Sequence, residues 1–235
     1  MEEQLEIIRK AYDLTIEMYN KGINPLDNIP EEIKNSNGYK SLISNKNLSN
    51  SSAPDIREYL NPSHGMRFLD AGCSANIANY RLDRWTSTYY GIDISTRLIQ
   101  AMQNYVNRNK LNIGGLYVAD VSRMPFEDGF FDIAAMIGVL EYHTFEYLQQ
   151  ALLELNRVLK PASKVILDIP NQDHPYVGDM VKIEKFLKRP NFIHSRKNFE
   201  ELLTKLFLIE RIEHNHNPVV FNAVIPVRNR GPALG

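Results

Sequence analysis

Apolar residues recur along this chain with two different periods, and the change from one to the other outlines its elements. Between Glu2 and Asn20, Leu5, Ile8, Tyr12, Ile16 and Tyr19 fall at three- and four-residue steps, with Glu6, Arg9, Lys10, Asp13 and Glu17 mostly elsewhere. That spacing predicts an amphipathic helix, which needs a surface to cover. Tyr12 and Tyr19 then either pack the helix onto the core or let it roof a site with one tyrosine facing inward. From Asn24 to Pro54 the composition shifts to Asn, Ser, Pro and Lys, with its most polar run at Ser44–Ser52, and this predicts a mobile connection or lid. Beyond it, short apolar runs alternate with helical spacing. Strands are expected at Arg67–Asp70, Thr88–Ile92, Gly115–Ala119, Phe131–Ile137 and Lys164–Ile169, and helices at Ile77–Arg84, Thr96–Asn109 and Phe145–Leu159. Ser95 is placed to cap the second of these helices and Lys160-Pro161 to end the third. The alternation implies a parallel sheet covered on both faces. Two further strand-like runs, Phe207–Ile212 and Val219–Ile225, leave no room for a crossover helix between them and should pair antiparallel.

Composition bounds this picture. At 235 residues and 43% hydrophobic, the chain can bury one sizeable core. We expect segment 1–54 to be an N-terminal helix and polar lid, 55–227 the core domain, and 228–235 a frayed tail. The formal charge of −1, from 27 basic and 28 acidic residues, provides no field for a polyphosphate, so no nucleic-acid partner is expected. The start, Met1-Glu2-Glu3-Gln4, is acidic where a signal peptide is basic, and no stretch is long and apolar enough to span a bilayer. A cytoplasmic protein without a membrane partner is the expectation. Oligomeric state is not readable.

The chemistry concentrates at strand ends. Met66–Asn76 runs a buried-strand signal into a tight, small-residue turn, Asp70-Ala71-Gly72-Cys73-Ser74, which reads as a ligand loop. Tyr89-Tyr90-Gly91-Ile92-Asp93-Ile94-Ser95 comes next with an acidic residue at its strand end, where an open α/β sheet hydrogen-bonds a ribose hydroxyl. Together they point to a nucleotide-like cofactor.

Over roughly Pro54 to Ile225 the chain resembles the class I S-adenosylmethionine-dependent methyltransferases. Phe68-Leu69-Asp70-Ala71-Gly72-Cys73 is similar to the family's first motif and Gly91-Ile92-Asp93-Ile94-Ser95 to its ribose-holding strand end. Ala119-Asp120-Val121, Met124-Pro125-Phe126 and Phe130-Phe131-Asp132-Ile133 resemble the adenine-edge segment and fourth strand, and Arg157–Pro161 the end of the helix before the fifth. The resemblance implies a Rossmann-like, seven-stranded, mostly parallel sheet with one antiparallel strand, helices on both faces and an N-terminal helical lid. It also implies S-adenosylmethionine as cofactor, held by Asp70, Ala71, Gly72, Cys73, Asp93, Ile94, Asp120, Val121, Gly138 and Tyr142. In that reading the Gly72 backbone approaches the carboxypropyl tail, Asp93 accepts from two ribose hydroxyls, Asp120 accepts from the adenine amino group, and the Val121 backbone meets a ring nitrogen. The chain departs from the pattern at Ser74 and Asn76, where relatives continue with glycines, and at Tyr142-His143, where histidine usually follows Leu-Glu directly.

Methyl transfer asks a protein mainly for alignment and exclusion of water. If the acceptor is a hydroxyl, His143 after the fourth strand and His174 after the fifth are the candidate general bases. Cys73 reads as a small buried residue rather than a nucleophile, and His214 and His216 as solvated turn residues, so no metal site is expected. The fourth strand ends in Met136-Ile137-Gly138-Val139 rather than the Asn/Asp-Pro-Pro-aromatic run of amide and base methylation. Protein arginine methylation would need two glutamates there, and only Glu141 is present. A small-molecule acceptor is therefore expected, for O- or N-methylation. The rival from another class is an inactive cofactor-fold binding or regulatory protein; aminopropyl transfer lacks its aspartate pair. Segment Gly178–His194, with Met180, Ile183, Phe186, Leu187 and Phe192, is expected to oppose the lid as an apolar wall.

Overall fold

A computed structural model describes residues 2–44, 54–210 and 222–231. The N-terminal part holds α1 (Glu2–Asn20), α2 (Glu31–Lys34), α3 (Asn37–Ser44) and α4 (Pro54–Leu60), followed by β1 (Arg67–Ala71), α5 (Asn76–Tyr80), β2 (Thr88–Asp93), α6 (Thr96–Asn109), β3 (Gly115–Val118) and β4 (Phe131–Met136). The rest is α7 (Phe145–Val158), β5 (Leu159–Pro170), α8 (Val177–Phe186), α9 (Arg196–Leu206), β6 (Phe207–Ile209) and β7 (Asn222–Asn229). One seven-stranded sheet runs in the order β3-β2-β1-β4-β5-β7-β6. β1 pairs parallel with both β2 and β4, and β7 is antiparallel to β5 and β6. The strand order reverses beside β1, so the carboxyl ends of β1, β2 and β4 open on one crevice.

The central strands are buried along nearly their whole length, as helices on both faces require. One core carries Leu69, Ile92, Met136 and the α7 residues Leu148, Leu152 and Leu155; a second, across the sheet, carries Phe68, Ile77, Trp85, Tyr89 and Ile133. Ser95 caps α6 as expected, its hydroxyl accepting from the Leu98 amide at 3.1 Å.

Three expectations are corrected. The helix expected over Ile77–Arg84 breaks at Arg81, which takes φ 53 and leaves Leu82–Arg84 as a 3-10 turn. The fifth strand begins at Leu159 rather than Lys164, because Leu159 pairs with Phe131 and the chain then bulges past Ala162 at φ 64. The polar stretch after Asn24 is folded through residue 44. Ile29, Ile33 and Tyr39 are buried with Ile183 of α8, and Leu26, Phe186 and Leu187 pack around them. Each isoleucine so buried contributes roughly 1.5–3 kcal/mol, and four or five apolar residues scattered among polar ones suffice to dock the segment. Ser44-to-Ser52 lies almost wholly outside the described residues, and His214, His216 and the 213–218 connection lie entirely outside them.

Candidate active site

The turn after β1 is built around one carbonyl and one carboxylate. The amides of Gly72 and Cys73 both donate to the Ile92 carbonyl, at 2.9 and 2.8 Å, which locks the turn to the end of β2. Ser74 donates its amide to Asp93 Oδ2 at 3.0 Å and Ser95 donates to Asp93 Oδ1 at 2.9 Å. Each carboxylate oxygen keeps a second acceptor site, so Asp93 can still receive two hydroxyls. Burial pushes the Asp93 pKa up, and the two amide donors oppose that rise. Gly72 is required twice over. Its φ is 78, and a Cβ there would come within 2.2 Å of Val139 Cγ2, so its lack of a side chain serves the packing of the β4 turn as well as the approach of a ligand.

Ser74, at φ 40, takes the left-handed conformation that a glycine normally supplies. Asn76 does not; it opens α5 and donates its side-chain amide to both oxygens of Asp70, at 3.3 and 3.2 Å. The two residues that depart from the family pattern thus hold the turn in place, Ser74 through its backbone conformation and Asn76 through its side chain.

At the third strand, Asp120 accepts the Ser122 amide at 2.8 Å and the Tyr147 hydroxyl, both on Oδ1. Gly138, after β4, sits at φ 71 with its amide donated to Asp168 Oδ1 at 2.8 Å. Beyond it, a 3-10 turn over Leu140–Tyr142 places Tyr142 and His143 side by side. The His143 ring stacks on Tyr147, centroids 3.8 Å apart, and its buried Nδ1 has no hydrogen-bond partner. Burial lowers its pKa to about 4, so the imidazole is neutral near pH 7.

These residues meet at a cavity of about 270 Å³, near the lower end of small-molecule pockets. Gly72, Asp93, Ile94, Asp120, Val121, Gly138, Tyr142 and His143 line it. Leu5, Ile8 and Tyr12 of α1 close it from above, while Tyr19 is 57% exposed; it is Tyr12 that faces inward.

Four expected site residues do not line this cavity, and one wall is misassigned. Asp70 turns beneath the β1 turn, where it accepts from Asn76 and from the Tyr89 hydroxyl at 2.8 Å; burial raises its pKa to about 7. Ala71 is wholly buried in the sheet. Cys73 is 1% exposed, and burial raises its thiol pKa well above normal, which suits a packing residue. His174 is buried in the turn before α8, its Nδ1 accepting the Tyr176 amide at 3.1 Å, and is absent from the lining. The apolar residues expected to form an opposing wall belong to α8 and the loop after it; Ile183, Phe186 and Leu187 pack against residues 26–39 instead, because α8 turns that face toward the N-terminal segment. Among the described residues no cluster suited to a metal ion is found, and no helix is long and apolar enough to cross a membrane. Sequence reasoning did not single out Ser74, Asn76, Val139 or Tyr147 as lining. Tyr147 alone carried a local signal, one helical turn after His143.

Comparison with known proteins agrees with this geometry. Residues 69–167 match the family described as a methyltransferase domain, and over that segment the chain is similar to S-adenosylmethionine-dependent methyltransferases. Among its relatives are an uncharacterized protein of Methanocaldococcus jannaschii, 32% identical over 132 residues (56% of this chain, 52% of that one), and the 2-phytyl-1,4-naphtoquinone methyltransferase of Nostoc punctiforme, 33% identical over 116 residues (47% and 50%). The chain spans about half the length of these two curated relatives. The magnesium protoporphyrin IX methyltransferase of Synechocystis with bound SAH shares the fold at a TM-score of 0.68, with 13% identity over 96% of this chain and 99% of that one.

Proposed function

We propose that the cavity binds S-adenosylmethionine and that the protein methylates a small acceptor with a flat or apolar part. The observation that carries this reading is the convergence of Gly72, Asp93 and Asp120 on one cavity roofed by α1. The residues fit the group. Asp93 offers two oxygens to vicinal hydroxyls, the Gly72 turn leaves open a space that a side chain would fill, and Asp120 with Val121 offers an acceptor and a backbone edge for a purine. When bound, this cofactor supplies an electrophilic methyl group on a sulfonium.

The protein's own part is alignment and dehydration. Leu5, Ile8 and Tyr12 exclude water from above; Tyr142, His143 and Tyr147 give an aromatic wall. His143 is the one of the two candidate bases that reaches it, but a ring whose pKa is lowered to about 4 holds a proton poorly, and we read it mainly as wall. The division into a lid segment 1–54 and a core from residue 55 belongs to the same proposal, but the tail expected from residue 228 starts later, because β7 runs to Asn229 and the Asn229 side-chain amide donates to the Leu159 and Lys160 carbonyls.

Isothermal titration of the purified protein with S-adenosylhomocysteine tests it. Micromolar binding is expected, and no binding at millimolar ligand overturns the reading. Deleting residues 1–20 should leave that affinity within about tenfold, or about 1.4 kcal/mol, because α1 makes none of the contacts assigned to ribose or purine.

A further inference from the structure

Behind the aromatic wall lies a group of ionisable side chains that cofactor binding does not use. Tyr142 and Tyr12 both line the cavity, with ring centroids 5.9 Å apart in a T-shaped arrangement. The Arg189 guanidinium lies 4.3 Å over the Tyr12 ring, and its Nη1 is 3.5 Å from Glu184 Oε2. The Tyr142 hydroxyl is within hydrogen-bonding reach of both Glu184 and Arg189. Glu184 and Arg189 are only 15% and 12% exposed. The buried Nε of Arg189 has no hydrogen-bond partner. The charged and titratable groups facing Tyr142 are Tyr12 from α1, Glu184 from α8, Arg189 from the following loop, and neighbouring Glu141.

A loose, largely buried ion pair with an unpartnered donor is costly to keep unless it has work to do. Glu184 pairs with Arg189 and supplies the cluster's proton-accepting carboxylate, while Arg189 keeps its place over the Tyr12 ring when Glu184 is neutral. Tyr142 lines the cavity and Glu184 does not. We propose that Tyr142 and Glu184 form a proton relay that accepts the hydroxyl proton of a phenolic acceptor, with Arg189 as the positioning residue. The inference rests on the methyltransferase reading. The aromatic walls from Tyr12, Tyr142, and stacked His143 and Tyr147 favour a flat ring. As the acceptor oxygen forms its bond to the methyl carbon, the carbon–sulfur bond of the sulfonium donor breaks and sulfur keeps the electron pair. The acceptor's proton passes to the Tyr142 oxygen while the proton of Tyr142 passes to Glu184, which later releases it to solvent. Burial raises the Glu184 pKa, in the sense this role needs.

The probe is p-nitrophenol, whose absorbance separates phenol from phenolate, added at pH 6 to the protein saturated with S-adenosylhomocysteine. Wild type should bind it with its phenolate-to-phenol ratio raised at least about tenfold over free solution, equivalent to about one pKa unit. Glu184→Gln and Tyr142→Phe should each bind the cofactor product normally yet lose that ionisation. Calorimetry with S-adenosylhomocysteine controls folding and separates two failures. If that ligand does not bind wild type, the methyltransferase reading fails and takes the relay with it. If it binds but p-nitrophenol does not, or ionises equally in wild type and Glu184→Gln, the relay alone is overturned.

Discussion

The two halves of the cavity are held by different kinds of contact. On the cofactor side, Gly72, Ser74, Asp93 and Asp120 sit in turns directly after strands, fixed by amides of the same turn or of the neighbouring strand. On the acceptor side, Tyr12 and Tyr142 are held by contacts across most of the chain: Gln4 Nε2 donates to the Tyr142 carbonyl at 2.7 Å, Arg189 reaches Thr15 Oγ1 at 3.3 Å, and Ser95 donates to Asp13 at 2.5 Å. The first half is as stable as the sheet register. The second depends on how α1 docks, through a few polar contacts and one apolar stripe, and such elements open more cheaply than a central sheet. One half is thus preformed for a constant ligand, and the other can move to admit a variable one.

The sharpest way to break this comparison is Gly72→Val. It places branched carbons where even a Cβ meets Val139 Cγ2 at 2.2 Å, and at a φ of 78. S-adenosylhomocysteine affinity should fall by at least about a hundredfold, roughly 2.7 kcal/mol. Adding Val139→Ala should return part of it, since the nearest clash is with that side chain; no return would mean that the ligand, not Val139, fills the space. Asp93→Ala comes next. It removes the ribose acceptors and the partner of the Ser74 and Ser95 amides, at a cost of roughly 1–3 kcal/mol in cofactor affinity. Unchanged calorimetric affinity in a folded variant would show the ribose contact to be misplaced.

Acid titration separates Asp70 from His143 by sign. Asp70, under the cofactor turn, has a pKa raised from 3.8 to about 7, so its contribution to stability is full below 3.8 and is lost as pH rises toward 7. Burial raises Asp93 in the same direction. His143, on the acceptor wall, is lowered from 6.5 to about 4, so its contribution is full above 6.5 and is lost as pH falls toward 4. The two oppose each other between these limits. Urea unfolding from pH 4 to 6.5 should show stability rising with pH in Asp70→Asn and falling in His143→Gln, each by at most about 1.4 kcal/mol per pH unit per group, with wild type flatter than either. Parallel slopes in all three proteins would mean that these groups titrate normally.

What was legible in the sequence obeys the same division. The strand ends carry their chemistry locally: an apolar run, a small-residue turn and an acid at the end of the next strand lie within about 25 positions, and Asp93 could be placed from that alone, whereas Asp120, Val121 and Gly138 were placed by the resemblance of the motifs around them. Asp70 misled because a strand-end carboxylate looks the same whether it faces a ligand or, as here, is turned under the loop by Asn76 and Tyr89; only the partners decide. The folded character of residues 26–39 was hidden for another reason. Ile29, Ile33 and Tyr39 are spaced irregularly between polar residues, and what buries them is Ile183, some 150 positions away. Arg189 and Glu184 likewise carry no local mark of a site. Their place beside Tyr12 and Tyr142 is set by long-range docking, which no period in the sequence records.

The smallest expected effect tests where the boundary between the halves runs. Tyr147 belongs to both: its ring stacks on His143 at the acceptor wall while its hydroxyl donates to Asp120 on the cofactor side. Tyr147→Phe deletes only the hydroxyl and keeps the stacked ring. Asp120 retains the Ser122 amide at 2.8 Å, so its carboxylate should stay in place with one neutral donor fewer, a loss of about 0.5–1.5 kcal/mol in stability. Cofactor affinity should fall by less than that, because the oxygen freed from Tyr147 is solvated or shared rather than turned away, and p-nitrophenol binding should not change because the wall it meets is intact. A larger loss of phenol binding than of S-adenosylhomocysteine binding would place the Tyr147 hydroxyl in the acceptor half, and would mean that Asp120 and the aromatic wall act as one unit rather than as neighbours.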